Sequence, residues 1–232
     1  MRNTLSLPSR EGAERHIYII LKGSTREKYE ILPEISVLRN KRFLRPLLTV
    51  LREGQRKHRE FAALALGTME RIEALRALYQ AMVDRRNHRG PGTQSLQTAI
   101  IVAMGEIGRD TAVRYLRKSM NFTFKGDSFF RERQKLILSA VGHIAQQGGS
   151  QALEFLKEYL FGGDRALRVH ALTELAVAYW HRPNEIPEDT LQILYRLASD
   201  RQKDIKSAAI SAMADLANLG CSRAEACFQE VG

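Results

Sequence analysis

Apolar residues recur every three or four positions through most of the chain, which places them on one face of an α-helix. Short polar or glycine-containing connections separate these stretches, and together they predict five successive helix pairs. The predicted pairs are 57–69 with 72–83, 93–107 with 111–120, 129–145 with 151–161, 165–179 with 188–199, and 205–219 with 223–231. Residues 1–56 are predicted to form irregular N-terminal helices and a capping pair. We therefore expect one all-α domain over residues 1–232, an α-α superhelix of about six helical pairs.

A small residue returns at nearly the same place in the first helix of each pair. Gly67, Gly105, Gly142, Ala176 and Ala214 follow one another at intervals of 38, 37, 34 and 38 residues. A period of this length is typical of stacked helical pairs. Because glycine inside a helix costs about 1 kcal/mol relative to alanine, we expect the small residue to mark a close approach between the two helices of a pair.

The N-terminal region carries two helix-end signals. A helix is predicted to start after Ser9 and to run to Leu21, with Gly23 as a left-handed stop. Ser24 and Glu27 then have the spacing of a capping box, which predicts the start of a new helix.

The pattern A-[LMV]-G-x-[IM] ends the first helix of a unit and is clearest around Gly67 and Gly105, as in Ala103-Met104-Gly105-Glu106-Ile107. This pattern resembles HEAT-like repeats, in particular the short bacterial type also found in phycobilisome lyases. The resemblance covers roughly residues 29–230. It implies a HEAT/armadillo-like solenoid whose second helices, here called B helices, line a concave surface. It does not imply one particular function.

The positive charge is concentrated in the N-terminal half. The whole chain has a net charge of +10. Residues 1–120 hold 23 Lys and Arg against 12 Asp and Glu, whereas residues 121–232 hold 13 against 14. A one-sided basic field attracts nucleic acid, anionic membrane or acidic protein surfaces, although basic residues also aid solubility.

Several of these basic residues fall on predicted B helices at repeat-length spacing. If the B helices share one face, the residues form a basic stripe suited to phosphate or carboxylate groups, because guanidinium binds both in a two-pronged way. The candidate stripe consists of Lys41, Arg42, Arg45, Arg76, Arg114 and Arg117.

Two connections are unusual and supply the second set of candidate binding residues. One, residues 84–92, carries Arg85, Arg86 and Arg89 and reads as a solvated basic linker. The other, residues 121–131, holds four of the nine phenylalanines, including Phe122 and Phe124, beside Lys125. These phenylalanines could be exposed and stack on nucleic-acid bases or bind in a groove of a partner. Alternatively, they fold back and cover the contact between adjacent repeats. We favour the second interpretation because exposed apolar patches are usually minimised.

Sequence motifs for chemistry are nearly absent. There is no phosphate-binding loop, nucleophile elbow or zinc-protease motif, and no His or Cys cluster has metal-ligand spacing. We therefore expect no enzyme activity, no cofactor and no metal. Cys221 and Cys227 are expected to be free thiols. No apolar run is long enough for a membrane span, and no secretory signal is apparent, so the expected location is the cytoplasm.

The sequence thus favours a non-enzymatic interaction scaffold that binds an acidic protein or peptide partner on its concave helical face. A nucleic-acid-binding solenoid that uses the same basic half is the main alternative. A DNA glycosylase or a chromophore lyase of the HEAT-like type is a weaker one, since the alkylpurine glycosylases cradle a nucleotide with tryptophans and an aspartate, and this chain has only Trp180. The oligomeric state is not predicted.

Overall fold

The computed structural model describes residues 10–88, 92–162 and 164–231. These residues form helices joined by short connections, without a strand among them, so the predicted all-α fold of packed helix pairs is confirmed. The chain divides into two compact units, Met1–Arg133 and Gln134–Gly232. The prediction that all 232 residues make one domain stays a prediction.

The first unit packs its helices in two layers. One layer contains α4 (Leu44–Glu53), α6 (Leu75–Val83) and α8 (Asp110–Met120), and the other contains α5 (Arg56–Thr68) and α7 (Thr93–Glu106). Three shorter or N-terminal helices precede them: α1 (Arg10–Lys22), which packs on α4, and α2 (Thr25–Glu30) and α3 (Leu32–Leu38), which pack on α5. The helices α4, α6 and α8 are the predicted B helices of this unit.

The second unit repeats the same plan. It contains α9 (Phe130–Gln146, which begins in the last residues of the first unit), α10 (Ser150–Leu160), α11 (Arg165–Val177), α12 (Glu188–Leu197), α13 (Lys203–Asn218) and α14 (Ser222–Val231). Within it, α11 packs on α10 and α13, and α12 packs on α13 and α14. Cys221 and Cys227 form no disulfide among the described residues, as expected, and Cys221 is buried.

The two predicted helix-end signals near the N-terminus have different outcomes. The capping box is confirmed: the Ser24 side chain accepts from the Glu27 N–H, and Glu27 accepts from the Ser24 N–H. The left-handed stop at Gly23 is wrong, because Gly23 does not have a positive φ. The buried Lys28 ammonium instead donates to the carbonyl oxygens of Ile19 and Gly23, at 3.0 and 2.5 Å, and so caps the C-terminal end of α1.

The recurrent glycine does mark a close helix approach, but not the predicted one. A Cβ built on Gly67 would lie 2.6 Å from the Ala103 Cα and 2.9 Å from the Ala103 Cβ. Gly67 lies in α5 and Ala103 in α7, so the contact joins the first helices of successive pairs rather than the two helices of one pair. In the second unit, a Cβ on Gly142 of α9 would lie 3.0 Å from the Cβ of Glu174 in α11. The repeat period therefore records how neighbouring repeats stack.

Candidate interaction surface

Three arginines occupy the same position in the three B helices of the first unit. Buried residues fix the alignment, because each buried position of α4 and the turn before it recurs 31 residues later around α6, and again 38 residues later around α8. In this register Arg45, Arg76 and Arg114 are equivalent. The aligned buried positions are Phe43, Leu47, Val50 and Leu51, then Ala74, Leu78, Ala81 and Met82, then Ala112, Leu116, Ser119 and Met120. We call Arg45, Arg76 and Arg114 the arginine ladder.

The ladder arginines are exposed to solvent. Within the described part of the chain, none of the three side chains makes a hydrogen bond or ion pair. Other exposed arginines of the unit are engaged; Arg39, for example, pairs with Glu70 at 2.6 Å, and Arg26 pairs with Glu30 at 2.8 Å. Among the described residues, no carboxylate therefore forms an ion pair with the ladder guanidinium groups.

The other three residues of the predicted stripe lie beside the ladder without repeating along it. Lys41 and Arg42 are exposed in the short 3₁₀ helix Lys41–Phe43 that precedes α4. The equivalent positions before α6 are Ile72 and Glu73, so this pair of charges does not recur. Arg117 is exposed one turn after Arg114 in α8.

Two tyrosines lie between the second and third steps of the ladder. Tyr79 of α6 and Tyr115 of α8 are half-buried, and their ring centroids are 5.6 Å apart. Helices that pack side by side are about 8–10 Å apart, so successive ladder arginines are separated by about that distance. Tyrosine and arginine are the residue types that dominate binding energy at protein interfaces.

The described part of the basic connection after α6, residues 84–88, is held by hydrogen bonds rather than being only a solvated linker. Arg86 donates from its Nη2 to the Asp84 carboxylate at 2.7 Å, and this contact holds the pKa of Asp84 below its usual value. Arg59 of α5 donates to the side-chain oxygen of Asn87, whose amide in turn donates to the Ala81 carbonyl oxygen at 2.8 Å. Arg85 is exposed, while Arg89 lies outside the described residues.

The phenylalanines after α8 fold back, as favoured from the sequence. Phe122 and Phe124 are half-buried and pack against the His88 ring, with ring centroids 5.0 and 4.6 Å away. They thereby join this connection to the 3₁₀ helix Arg85–His88 that follows α6. Lys125, next to Phe124, is exposed.

A buried ion pair fixes the aromatic connection, and the sequence interpretation missed it. Arg133 has no exposed surface, and its guanidinium donates to the carboxylate of Asp127, which is 2% exposed. The same guanidinium donates to the Phe122 carbonyl oxygen and, at 2.9 Å, to the side-chain oxygen of Gln97. One signal was available: Arg133 falls 37 residues after the buried Leu96, where the repeat calls for an apolar residue.

The hydrogen bonds around Gln97 determine which nitrogen of His88 carries the proton. Guanidinium can only donate, so the Gln97 oxygen faces Arg133 and the Gln97 amide nitrogen faces His88. That nitrogen lies 2.8 Å from His88 Nδ1, which must accept the bond. Neutral His88 is therefore protonated on Nε2. Burial, followed by the charge of Arg133, lowers the pKa of His88 and favours this neutral form.

A Ser-His-Glu cluster in the second unit lacks the arrangement of a hydrolytic triad. The Ser139 hydroxyl donates to Glu174 Oε1 at 2.6 Å, and His170 Nε2 lies 2.9 Å from the same hydroxyl. In a triad the carboxylate holds the opposite nitrogen of the histidine. Here Glu174 takes the serine proton and lies 3.4 Å from the same Nε2. The cluster is a polar link between α9 and α11.

Two other kinds of site, a membrane-spanning helix and a metal site, are not found among residues 10–88, 92–162 and 164–231. No helix there is both long and apolar enough to cross a bilayer. No group of three His, Cys, Asp or Glu side chains there is placed to hold a metal ion.

Comparison with known proteins gives a resemblance in fold. No protein-family model matches the chain, and no curated protein is similar to it in sequence. Among solved structures, the chain is similar to the crystal structure of the archaeal HEAT-like repeats protein from Thermococcus onnurineus NA1. The two are 12% identical with a TM-score of 0.49, and the similarity covers 91% of this chain and 82% of the archaeal one.

Proposed function

We propose that the first unit is a non-enzymatic interaction module, acting in the cytoplasm, that binds an acidic segment of a partner protein along the arginine ladder. The observation that carries this proposal is the recurrence of Arg45, Arg76 and Arg114 at one position of three adjacent helices, exposed and without partners in the described part of the chain. The ladder offers positive charge and hydrogen-bond donors, and it offers no acid or nucleophile. These groups suit binding rather than catalysis.

The charge of the whole unit supports an acidic partner. Residues 1–133 hold 26 Lys and Arg against 14 Asp and Glu, whereas residues 134–232 hold 10 against 12. The excess of positive charge therefore belongs to the unit that carries the ladder. Such a field raises the rate of encounter with acidic partners and makes it sensitive to salt.

The spacing of the ladder matches an extended peptide. A chain in polyproline II conformation has three residues per turn and advances about 3.1 Å per residue, so every third side chain lies on the same face, about 9 Å from the last. This distance suits arginines on helices that are about 8–10 Å apart. A segment of about seven residues with three carboxylates reaches all three steps. Exposed ion pairs contribute about 0.2–1 kcal/mol each, so three such pairs account for about 0.6–3 kcal/mol of binding.

The same spacing fits nucleic acid less well. A DNA strand carries a phosphate for about every 3.4 Å of helix length, so one arginine per 8–10 Å would leave most phosphates without a contact. We therefore expect a nucleic acid to bind the ladder more weakly than an acidic peptide does.

The test measures binding of a labelled twelve-residue peptide, with glutamate at every third position, by fluorescence anisotropy at low salt. We expect the triple variant Arg45→Ala/Arg76→Ala/Arg114→Ala to bind about 3–150-fold more weakly, which corresponds to the loss of three exposed pairs. The control variant is Arg201→Ala/Lys203→Ala/Lys206→Ala, which removes the same charge from exposed positions of the second unit. This control should bind as the wild type does.

Two further ligands complete the experiment. A peptide of the same composition with its glutamates clustered at one end should bind more weakly than the spaced peptide. A single-stranded oligonucleotide of equal charge should also bind more weakly. Equal loss of peptide binding in both triple variants contradicts the ladder, and tighter, ladder-dependent binding of the oligonucleotide replaces the peptide with nucleic acid as the ligand.

A further inference from the structure

A cavity of about 460 Å³ opens between the connections that follow α6 and α8 in the first unit. Aromatic and apolar side chains line it (His88, Phe122, Phe124 and Val83), together with the basic side chains of Arg85 and Lys125. We propose that this cavity binds a planar aromatic ligand that carries an anionic group, either a phosphate or a carboxylate. We call it the aromatic cavity.

The walls of the aromatic cavity favour a flat ring. Phe122 and Phe124 pack on His88 with interplanar angles of 42° and 39°, so three rings border one space at different tilts. Rings in such positions offer both faces and edges to a ligand ring, which are the two favourable aromatic arrangements. The volume lies within the range of about 300–1,000 Å³ that is usual for small-molecule sites.

The cavity rim favours an anion. Arg85 and Lys125 are exposed, and neither side chain has a partner within the described part of the chain. Among the described residues that line the cavity, none is acidic. The C-terminal ends of α6 and α8 lie nearby and oppose an anion with a partial charge of about −0.5 each. Two full positive charges exceed that opposition.

Two of the three rings that border the cavity, those of Phe122 and His88, are held in place by the buried network around Arg133 and Gln97. Arg133 lies behind Phe122, with its Cζ atom 5.8 Å from the ring centroid, and it also donates to the carbonyl oxygen of that residue. His88 is fixed by the hydrogen bond between its Nδ1 and the Gln97 amide. A wall that is ordered before binding loses little freedom when a ligand arrives, which favours affinity.

A second cavity, of about 410 Å³, lies across the wall formed by His88 and Phe124. It differs in charge, because Asp127 lines it together with Ser128 and the first turn of α7. Arg85 and Lys125 do not line it. We therefore assign the aromatic anion to the first cavity only.

This inference does not depend on the proposed function. The ladder arginines do not line the cavity, so the two sites can fail separately. A ladder triple variant should keep the small ligand, and a cavity variant should keep the acidic peptide.

The test titrates the full chain with four probes by isothermal titration calorimetry. Phenyl phosphate and benzoate carry the same ring with a phosphate or a carboxylate, phenol carries the ring alone, and inorganic phosphate carries the anion alone. We expect one of the first two probes to bind. Its affinity should be about tenfold or more higher than that of the ring alone and that of the anion alone, since two exposed charge pairs account for about that factor. Which of the two binds identifies phosphate or carboxylate as the anion.

Three variants locate the site. Arg85→Ala/Lys125→Ala should weaken binding about tenfold, and Phe124→Leu, which keeps an apolar side chain but removes the ring, should also weaken it. Lys118→Ala is the control, because Lys118 is an exposed lysine near the end of α8 that does not line the cavity. Failure of both ring-bearing anions to bind at millimolar concentration, or equal binding by the wild type and the double variant, overturns the proposal.

Discussion

Replacement of Gly67 by alanine tests the helix contact that sets the repeat period. The new Cβ would lie 2.6 Å from the Ala103 Cα, closer than real Cβ atoms approach a backbone. Alanine is better than glycine in a helix by about 1 kcal/mol, whereas overpacking a filled core costs about 1–3 kcal/mol. Because the clash is with backbone, which cannot move aside as a flexible side chain can, the cost should lie in the upper part of that range, about 2–3 kcal/mol. We therefore expect Gly67→Ala to lower the free energy of unfolding by about 1–2 kcal/mol.

The measurement is urea and thermal unfolding of the full chain, followed by circular dichroism at the helix band. In a protein of this size, 1 kcal/mol corresponds to a change of about 2–4 °C in Tm. The matched control is Gly162→Ala, where the nearest atom to a built Cβ is the Tyr159 carbonyl oxygen, at an ordinary 3.5 Å. This control should leave the Tm nearly unchanged.

A double variant makes the test more specific. Because the closest atom to the new Cβ is the Ala103 Cα rather than its side chain, Gly67→Ala/Ala103→Gly should not recover wild-type stability. If Gly67→Ala is as stable as the wild type or more stable, α5 and α7 are not in the tight contact described above. Recovery in the double variant would place the clash in the Ala103 methyl group instead of the backbone.

Three further predictions concern buried charged or titratable groups of the first unit. Arg133→Met should lower the free energy of unfolding by about 3–5 kcal/mol, because it leaves the buried Asp127 carboxylate without its partner. The double variant Arg133→Met/Asp127→Asn should recover part of this loss. If the losses of the two single variants simply add in the double variant, the ion pair is contradicted. His88 has a lowered pKa in the folded state. As the pH falls below about 6.5, the unfolded chain therefore takes up a proton on His88 before the folded chain does, and the free energy of unfolding should decrease. His88→Gln should reduce this dependence in denaturant unfolding at pH 7.5 and 5.5, and an unchanged pH slope would refute the assignment. Lys28→Met should lower the free energy of unfolding by about 1–3 kcal/mol, because buried carbonyl oxygens at the end of α1 lose their donor; faster hydrogen exchange confined to α1 and α2 would support this cap, and unchanged exchange there would count against it.

The helices and their pairing could be predicted because their signals are local. Apolar spacing of three and four residues and a constant repeat length both appear directly in the sequence. The equivalence of Arg45, Arg76 and Arg114 also followed from repeat length, although intervals of 31 and 38 residues made it approximate until the buried positions fixed the register.

Spatial partners could not be predicted in the same way. The sequence showed that Gly67 needs a close neighbour, but spacing alone does not distinguish the second helix of the pair from the first helix of the next. The burial of Arg133 was not predicted, because charged residues are seldom fully buried. Its buried position depends on a carboxylate six residues earlier and on Gln97 in another helix, and neither partner follows from periodicity.

The buried Arg133 has a consequence for how the chain can be divided. It sits in the first turn of α9, whose later residues belong to the second unit, yet the partners described for it lie in the first. A fragment cut at residue 129, just before α9, would lose the cation that Asp127 and Gln97 require, whereas one extended through the first turns of α9 would keep it. The natural cut site for isolating the basic half of the protein thus lies inside a helix rather than in the loop that precedes it.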